Sequence, residues 1–182
     1  MGIRQILNNI FLLCTLFVLV ACSGDEQPTA HVYPVATPSY TTQDNVVANK
    51  EIVRREAEDA ALLAARYGWD LQRTETGLCY QIVNPKNGGV KPKPRDRVQL
   101  KGKICTPKGD VVYDYKKDGI KEFVVDGSED AVGLHELVQL LKTGQKVNAI
   151  IPSYLAYGIN GNGGRIPAYS ALVCELELVN IN

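Results

Sequence analysis

Pro152 closes one alternating apolar run, and a glycine-rich loop separates it from the next. In Lys146-Val147-Asn148-Ala149-Ile150-Ile151, the residues Val147, Ala149 and Ile151 share one face at the two-residue period of a strand. Pro152 has no N–H to donate, so the ladder stops there. Gly158, Gly161, Gly163 and Gly164 permit positive φ in the loop that follows. Leu172, Cys174, Leu176 and Leu178 then alternate with Val173, Glu175 and Glu177, the pattern of a strand buried on one side. This stretch commits the chain to an antiparallel sheet with a long loop at one end.

The segments upstream fit the same sheet. Leu78, Tyr80 and Ile82 alternate, as do Val98, Leu100, Gly102 and Ile104. Thr106-Pro107-Lys108-Gly109-Asp110 predicts a hairpin into Val111-Val112-Tyr113-Asp114, and Phe123 to Val125 a short strand. Ala131 to Leu141 carries Leu134, Leu137, Val138 and Leu141 at helical spacing, with Gly144 expected as its stop. One short helix covering one antiparallel sheet gives an α+β fold. Ahead of it, residues 46–67 read as a single helix: Val46, Val53, Ala57, Ala60, Ala64 and Tyr67 form a stripe, and Gly68 ends it. The stripe suits packing on the chain's own domain or pairing with a second copy.

The first 22 residues read as a leader. Arg4 precedes an apolar run from Ile10 to Ala21, about a dozen residues, too short for a full membrane span. The run ends Leu19-Val20-Ala21-Cys22, which resembles the lipobox of bacterial lipoproteins. That resemblance implies removal of residues 1–21, acylation of Cys22 and a place in the cell envelope of a Gram-negative bacterium, the outer membrane first. Ser23-Gly24-Asp25-Glu26 resembles the acidic export signal of some Bacteroidetes lipoproteins. Residues 22–44 carry Pro28, Pro34 and Pro38 without any period and read as a tether, with 45–70 a helical extension and 71–182 the folded domain.

Twenty basic and 20 acidic side chains balance, which gives no footprint for nucleic acid. Cys79, Cys105 and Cys174 form no CxxC pattern and no Cys/His cluster, so a metal site is not expected, and no cofactor is implied. Cys174 shares the phase of the buried leucines, whereas Cys79 and Cys105 sit on the other phase of their strands. His31 and His135 each stand alone and read as surface residues.

Ser153-Tyr-Leu-Ala-Tyr157-Gly158, a seven-residue loop, Ile166-Pro167 and the closing Leu-Val-Cys-Glu-Leu-Glu-Leu strand together resemble FKBP-type peptidyl-prolyl isomerases. Lys142-Thr-Gly-Gln-Lys-Val147 and Val112-Tyr113-Asp114 fit the same family in the same order, so the resemblance spans Thr76 to Val179. It implies a twisted half-barrel sheet wrapped around the short helix, and proline-containing polypeptides as clients. It implies that Tyr113 walls a pocket, Leu134 floors it and Ile166 touches substrate from the loop. Asp114 and Tyr157 become its catalytic polar groups, with Ala131 and Val132 supplying a rim and a backbone N–H. Other roles stay open: Tyr113 and Leu134 as plain core, Asp114 as the cap of a turn, Tyr157 as packing. Relatives with a helical N-terminal extension also raise a homodimer through residues 45–70. Several positions depart from the family. Leu100, Lys121 and Cys174 replace aromatics, Asn162 stands where histidine is common, and Arg165 precedes Ile166. Two functions therefore remain: a prolyl isomerase, or a catalytically silent FKBP-fold binding module tethered to the membrane.

Overall fold

In a computed structural model of the chain, residues 42–86 and 88–182 are described, with side chains from Val46 onward. The leader, Cys22, His31 and nearly all of the tether lie outside them. The elements run α1 (Thr42–Tyr67), β1 (Gln72–Arg73), β2 (Cys79–Ile82), β3 (Arg97–Cys105), β4 (Val111–Asp114), α2 (Tyr115–Asp118), β5 (Lys121–Val124), α3 (Val132–Leu140), β6 (Lys146–Ile151), a 3₁₀ turn (Ser153–Leu155) and β7 (Leu172–Ile181).

All strand pairs are antiparallel, in the order β1-β2-β6-β7-β3-β4, with β5 also pairing β3. Strand β3 is the hinge of this arrangement: β7 runs along one edge, while β5 and β4 share the other, end to end. The inner face carries Leu172, Cys174, Leu176 and Leu178 of β7 and Val147, Ala149 and Ile151 of β6, all buried. Helix α3 fills this concave face with Leu134, Leu137 and Val138, and Leu141 follows at its C-cap. These residues, with Leu78, Leu100 and Phe123, make one continuous core. The sheet and α3 thus form the expected α+β architecture. The stop of α3 differs: the helix ends at Leu140, and Gly144 lies in the following turn, its N–H donated to the Leu178 carbonyl.

The sheet is buried on its outer face too, at one place. Ile150 and Val173 are register partners in the phase opposite to the core, yet are 1% and 4% exposed. Ile150 lines a groove with Glu56, Asp59, Ala60 and Leu63 of α1. Helix α1 is fastened there by Glu56, whose carboxylate accepts the Ser153 N–H (2.7 Å) and the Ser153 hydroxyl. Gly68, at φ +68°, ends α1, and the Trp69 N–H closes back on the Ala64 carbonyl.

Two expectations need correction. His135 is not a surface residue: it is 4% exposed, packs edge-on to Phe123 at 4.9 Å and accepts the Asp126 N–H at Nδ1. Its place on the core side of α3, beside Leu134, decides this. Cys105 is likewise buried despite its phase, at the end of β3 where the pairing with β4 shifts register. Cys79, Cys105 and Cys174 are all free, and burial pushes each thiol above its ordinary range, Cys174 furthest.

Candidate functional site

A cavity of about 210 Å³ opens between the end of β4, the start of α3 and the loop after β6. Its apolar lining comes from Ile104, Val112, Tyr113, Leu134, Ile166 and Leu172, and its polar lining from Asp118, Lys121, Asp130, Tyr157 and Asn162. A groove of about 320 Å³ beside α1 is larger but gathers no group from β4, α3 or the glycine loop, and its Glu56 is spent on Ser153. The smaller cavity is the one that joins apolar walls from β4, α3 and the glycine loop to a few polar groups.

Each wall is held by its own element. Tyr113 is the next-to-last residue of β4, and its hydroxyl donates to the Gly119 carbonyl at 2.7 Å, which fixes the ring and uses its only proton. Burial raises its hydroxyl pKa. Leu134 reaches the cavity from α3 while 1% exposed, so it is floor and core at once. Ile166 is brought in by the loop, where the Asn162 side-chain oxygen accepts the N–H groups of Gly164 (3.0 Å) and Ile166 (2.9 Å). Of the four loop glycines read as permissive, Gly158, Gly161 and Gly163 take positive φ and Gly164 does not. Gly161 has a second reason: a Cβ there would come within 2.3 Å of the Ile166 carbonyl.

Tyr157 donates its hydroxyl to Asp130 Oδ1 at 3.2 Å. Burial and the Asp130 carboxylate push its pKa up to about 12, so it stays protonated through neutral and mildly alkaline pH. Asp130 Oδ2 in turn meets Lys121 Nζ at 2.9 Å, and that ammonium lies 5.9 Å from the Tyr113 ring centre. At the mouth, Arg165 donates to the Val112 carbonyl (3.0 Å) and stands 3.7 Å from Asp118.

The structure thus brings Tyr113, Leu134, Tyr157 and Ile166 to one cavity, and places the other sequence candidates elsewhere. Asp114 does not line it. Its carboxylate caps α2 by accepting the Lys116 N–H at 3.0 Å, while its own N–H is donated to Asp118. Val132 is 66% exposed, because the buried face of α3 passes through Gly133, Leu134, Leu137 and Val138. Ala131 is buried as the N-cap of α3 and contributes no lining side chain. Of the departures from the family pattern, Lys121 and Asn162 line the cavity, whereas Leu100 and Cys174 lie in the core. Asp118 and Asp130 escaped the sequence reading. The signal for them was electrostatic: cations set against an apolar pocket need acids close by.

The profile of the family described as "FKBP-type peptidyl-prolyl cis-trans isomerase" matches residues 88–179. The chain is 35% identical over 111 residues to the FKBP-type 22 kDa peptidyl-prolyl cis-trans isomerase of Escherichia coli, an alignment covering 59% of this chain and 52% of the relative. It is 33% identical over 135 residues to the FKBP-type peptidyl-prolyl cis-trans isomerase FkpA of Aeromonas hydrophila, covering 74% and 49%. Among solved structures, a peptidyl-prolyl cis-trans isomerase from Pseudomonas syringae superposes with a TM-score of 0.60 at 26% identity, over 73% of this chain and 95% of that one. The chain spans about half the length of the curated relatives it matches.

Proposed function

Because this chain belongs to the family of FKBP-type peptidyl-prolyl cis-trans isomerases, we propose that its cavity binds proline-containing polypeptides and speeds the interconversion of their prolyl bonds. The observation that carries the reading is the convergence of Tyr113, Leu134, Tyr157 and Ile166 on one cavity. A peptide bond resists rotation by about 18–20 kcal/mol because resonance keeps it planar. Prolyl bonds occupy both isomers and exchange in tens to hundreds of seconds without help. Twisting the bond breaks the resonance and withdraws charge from its carbonyl oxygen. A pocket that grips the ring against Tyr113, Leu134 and Ile166 therefore favours the twisted form, with no nucleophile, metal or cofactor in the step.

In this reading Tyr157 exchanges Asp130 for a substrate carbonyl when a client binds. Ala131 and Val132 act through the backbone, since the first N–H groups of a helix lack partners inside it. Asp114 is a positioning residue: it fixes α2 and, through its N–H, Asp118.

The test is a proline-limited refolding assay comparing the wild-type chain with Tyr157→Phe. Trading one acceptor for another leaves a small net bond, so catalytic efficiency should fall about two- to fivefold. The variant should also melt lower, because Asp130, with its side chain 7% exposed, loses a donor, at a cost of about 1–3 kcal/mol. No rate acceleration by the wild-type chain, together with binding of unfolded polypeptide, would leave the silent binding module as its function.

The envelope setting belongs to the same proposal. Leu19-Val20-Ala21-Cys22 supports acylation at Cys22, and two or more acyl chains hold a protein on a bilayer stably. The chain would then assist the folding of extracytoplasmic proteins from a lipid-anchored position, with α1, whose Val47 and Leu62 are exposed, as the surface for pairing with a second copy. Cys22→Ala should move the protein from the detergent phase to the aqueous phase of a detergent partition. Aqueous behaviour of the unaltered protein from its host would end the anchoring idea.

A further inference from the structure

The polar side of the cavity has an order to it. Tyr157 has one hydroxyl proton, and it is donated to Asp130. Tyr113 spends its proton on Gly119, and Asn162 turns its side-chain oxygen to the loop's own N–H groups. Asp130 uses one oxygen for Tyr157 and the other for Lys121. Lys121 is different. An ammonium has three donors, and Asp130 is its one ion-pair partner among the described residues. The remaining donors sit on a group that lines the cavity.

Burial adds a direction. In each ion pair at the site the cation is the more exposed partner: 23% for Lys121 against 7% for Asp130, and 64% for Arg165 against 33% for Asp118. Asp130 is the most buried of the four charges, and Lys121 is the accessible member of its pair. Within this pair the ammonium is the more accessible group, and so the one an anion in the cavity can approach more closely. Coulomb energy falls with separation, so the nearer cation dominates. Asp118 is engaged from the mouth side by Arg165.

We infer that Lys121, held in place by Asp130, is a specificity-determining residue, and that the pocket selects polypeptides with an acidic side chain beside the proline. The inference rests on the prolyl-binding reading of this cavity and adds the charge class of its clients. Arg165 reinforces the selection from the rim.

The experiment is anisotropy binding of dye-labelled tetrapeptides Ala-Xaa-Pro-Phe, with Xaa as Glu, Leu or Lys, to the purified full chain. Isomerisation of the same peptides is measured in parallel. At low ionic strength the Glu peptide should bind about tenfold more tightly than the Lys peptide, the scale of one partly exposed charge-assisted contact. The gap should narrow as salt is raised. Lys121→Met keeps the apolar stem and should remove the gap, whereas Lys121→Arg should keep most of it. Equal or undetectable binding of the two charged peptides by the wild-type chain overturns the inference, as does a gap unchanged in Lys121→Met. Should the Met variant fail to fold, the salt response of the wild type and the Arg variant still decide: a gap insensitive to salt, or lost in Lys121→Arg, overturns it. Binding in this charge order without turnover keeps the inference and removes the catalytic reading; turnover without the order does the reverse.

Discussion

Leu134→Ala should cost the protein both its stability and its site. The side chain is 1% exposed and belongs to the core beneath the sheet, yet it also floors the cavity. Truncating a buried leucine removes its transfer energy and leaves a hole, at about 2–5 kcal/mol. The upper half of that range is expected, because the core cluster it belongs to is almost fully buried and has little freedom to collapse. Urea unfolding should show a lower midpoint with an unchanged slope, the mark of lost stability rather than of an altered denatured state. Isomerase activity measured well below the new melting temperature should fall too, since the ring of a bound proline would lose the surface beneath it. A variant as stable as the wild type would mean that this part of α3 does not pack as described.

Gly102→Ala should be worse, and for a reason that has nothing to do with the site. Gly102 sits in the middle of β3 at φ +139°, opposite Leu176 of β7. A Cβ there would stand 2.0 Å from the Glu175 carbonyl oxygen and 2.8 Å from the Leu176 Cα. Both obstacles are backbone, so no rotamer change relieves them. The alanine must either separate β3 from β7 or force a different conformation, and a loss of at least about 3 kcal/mol with poor soluble yield is expected. Gly109→Ala is the control. It also lies at positive φ, but nothing stands within 4 Å of its added Cβ. It should lose only the cost of the left-handed conformation, about 1–2 kcal/mol. Equal melting temperatures for the two variants would refute the steric account.

Gly102 also marks how far sequence reading reaches. In the alternation Val98, Leu100, Gly102, Ile104 it reads simply as a small inward residue; that β7 passes against it emerges only once the strands are paired. Periodicity located α3 and the inner faces of β6 and β7 because those patterns depend on neighbours in the chain. It misjudged Ile150, whose outer-face burial comes with α1, from about ninety residues away. The site divides in the same way. Tyr113, Leu134, Tyr157 and Ile166 were legible through their order along the chain. Asp130 was not, since an acid just ahead of a helix looks like an ordinary companion of the helix dipole; its role depends on where Lys121 and Tyr157 arrive. Asp114 carried two readings in the sequence, and the geometry shows it as the cap of α2.

The attachment of α1 has a mechanical consequence. Glu56 grips Ser153, and the Ser153 carbonyl accepts the N–H of Gly158, the residue after Tyr157. A pull on α1 would thus reach, through the Glu56 carboxylate, the turn that carries Tyr157. The load path through Glu56 and the cavity meet within five residues, Ser153 to Tyr157. Tension on α1 and occupancy of the cavity would act on the same short segment.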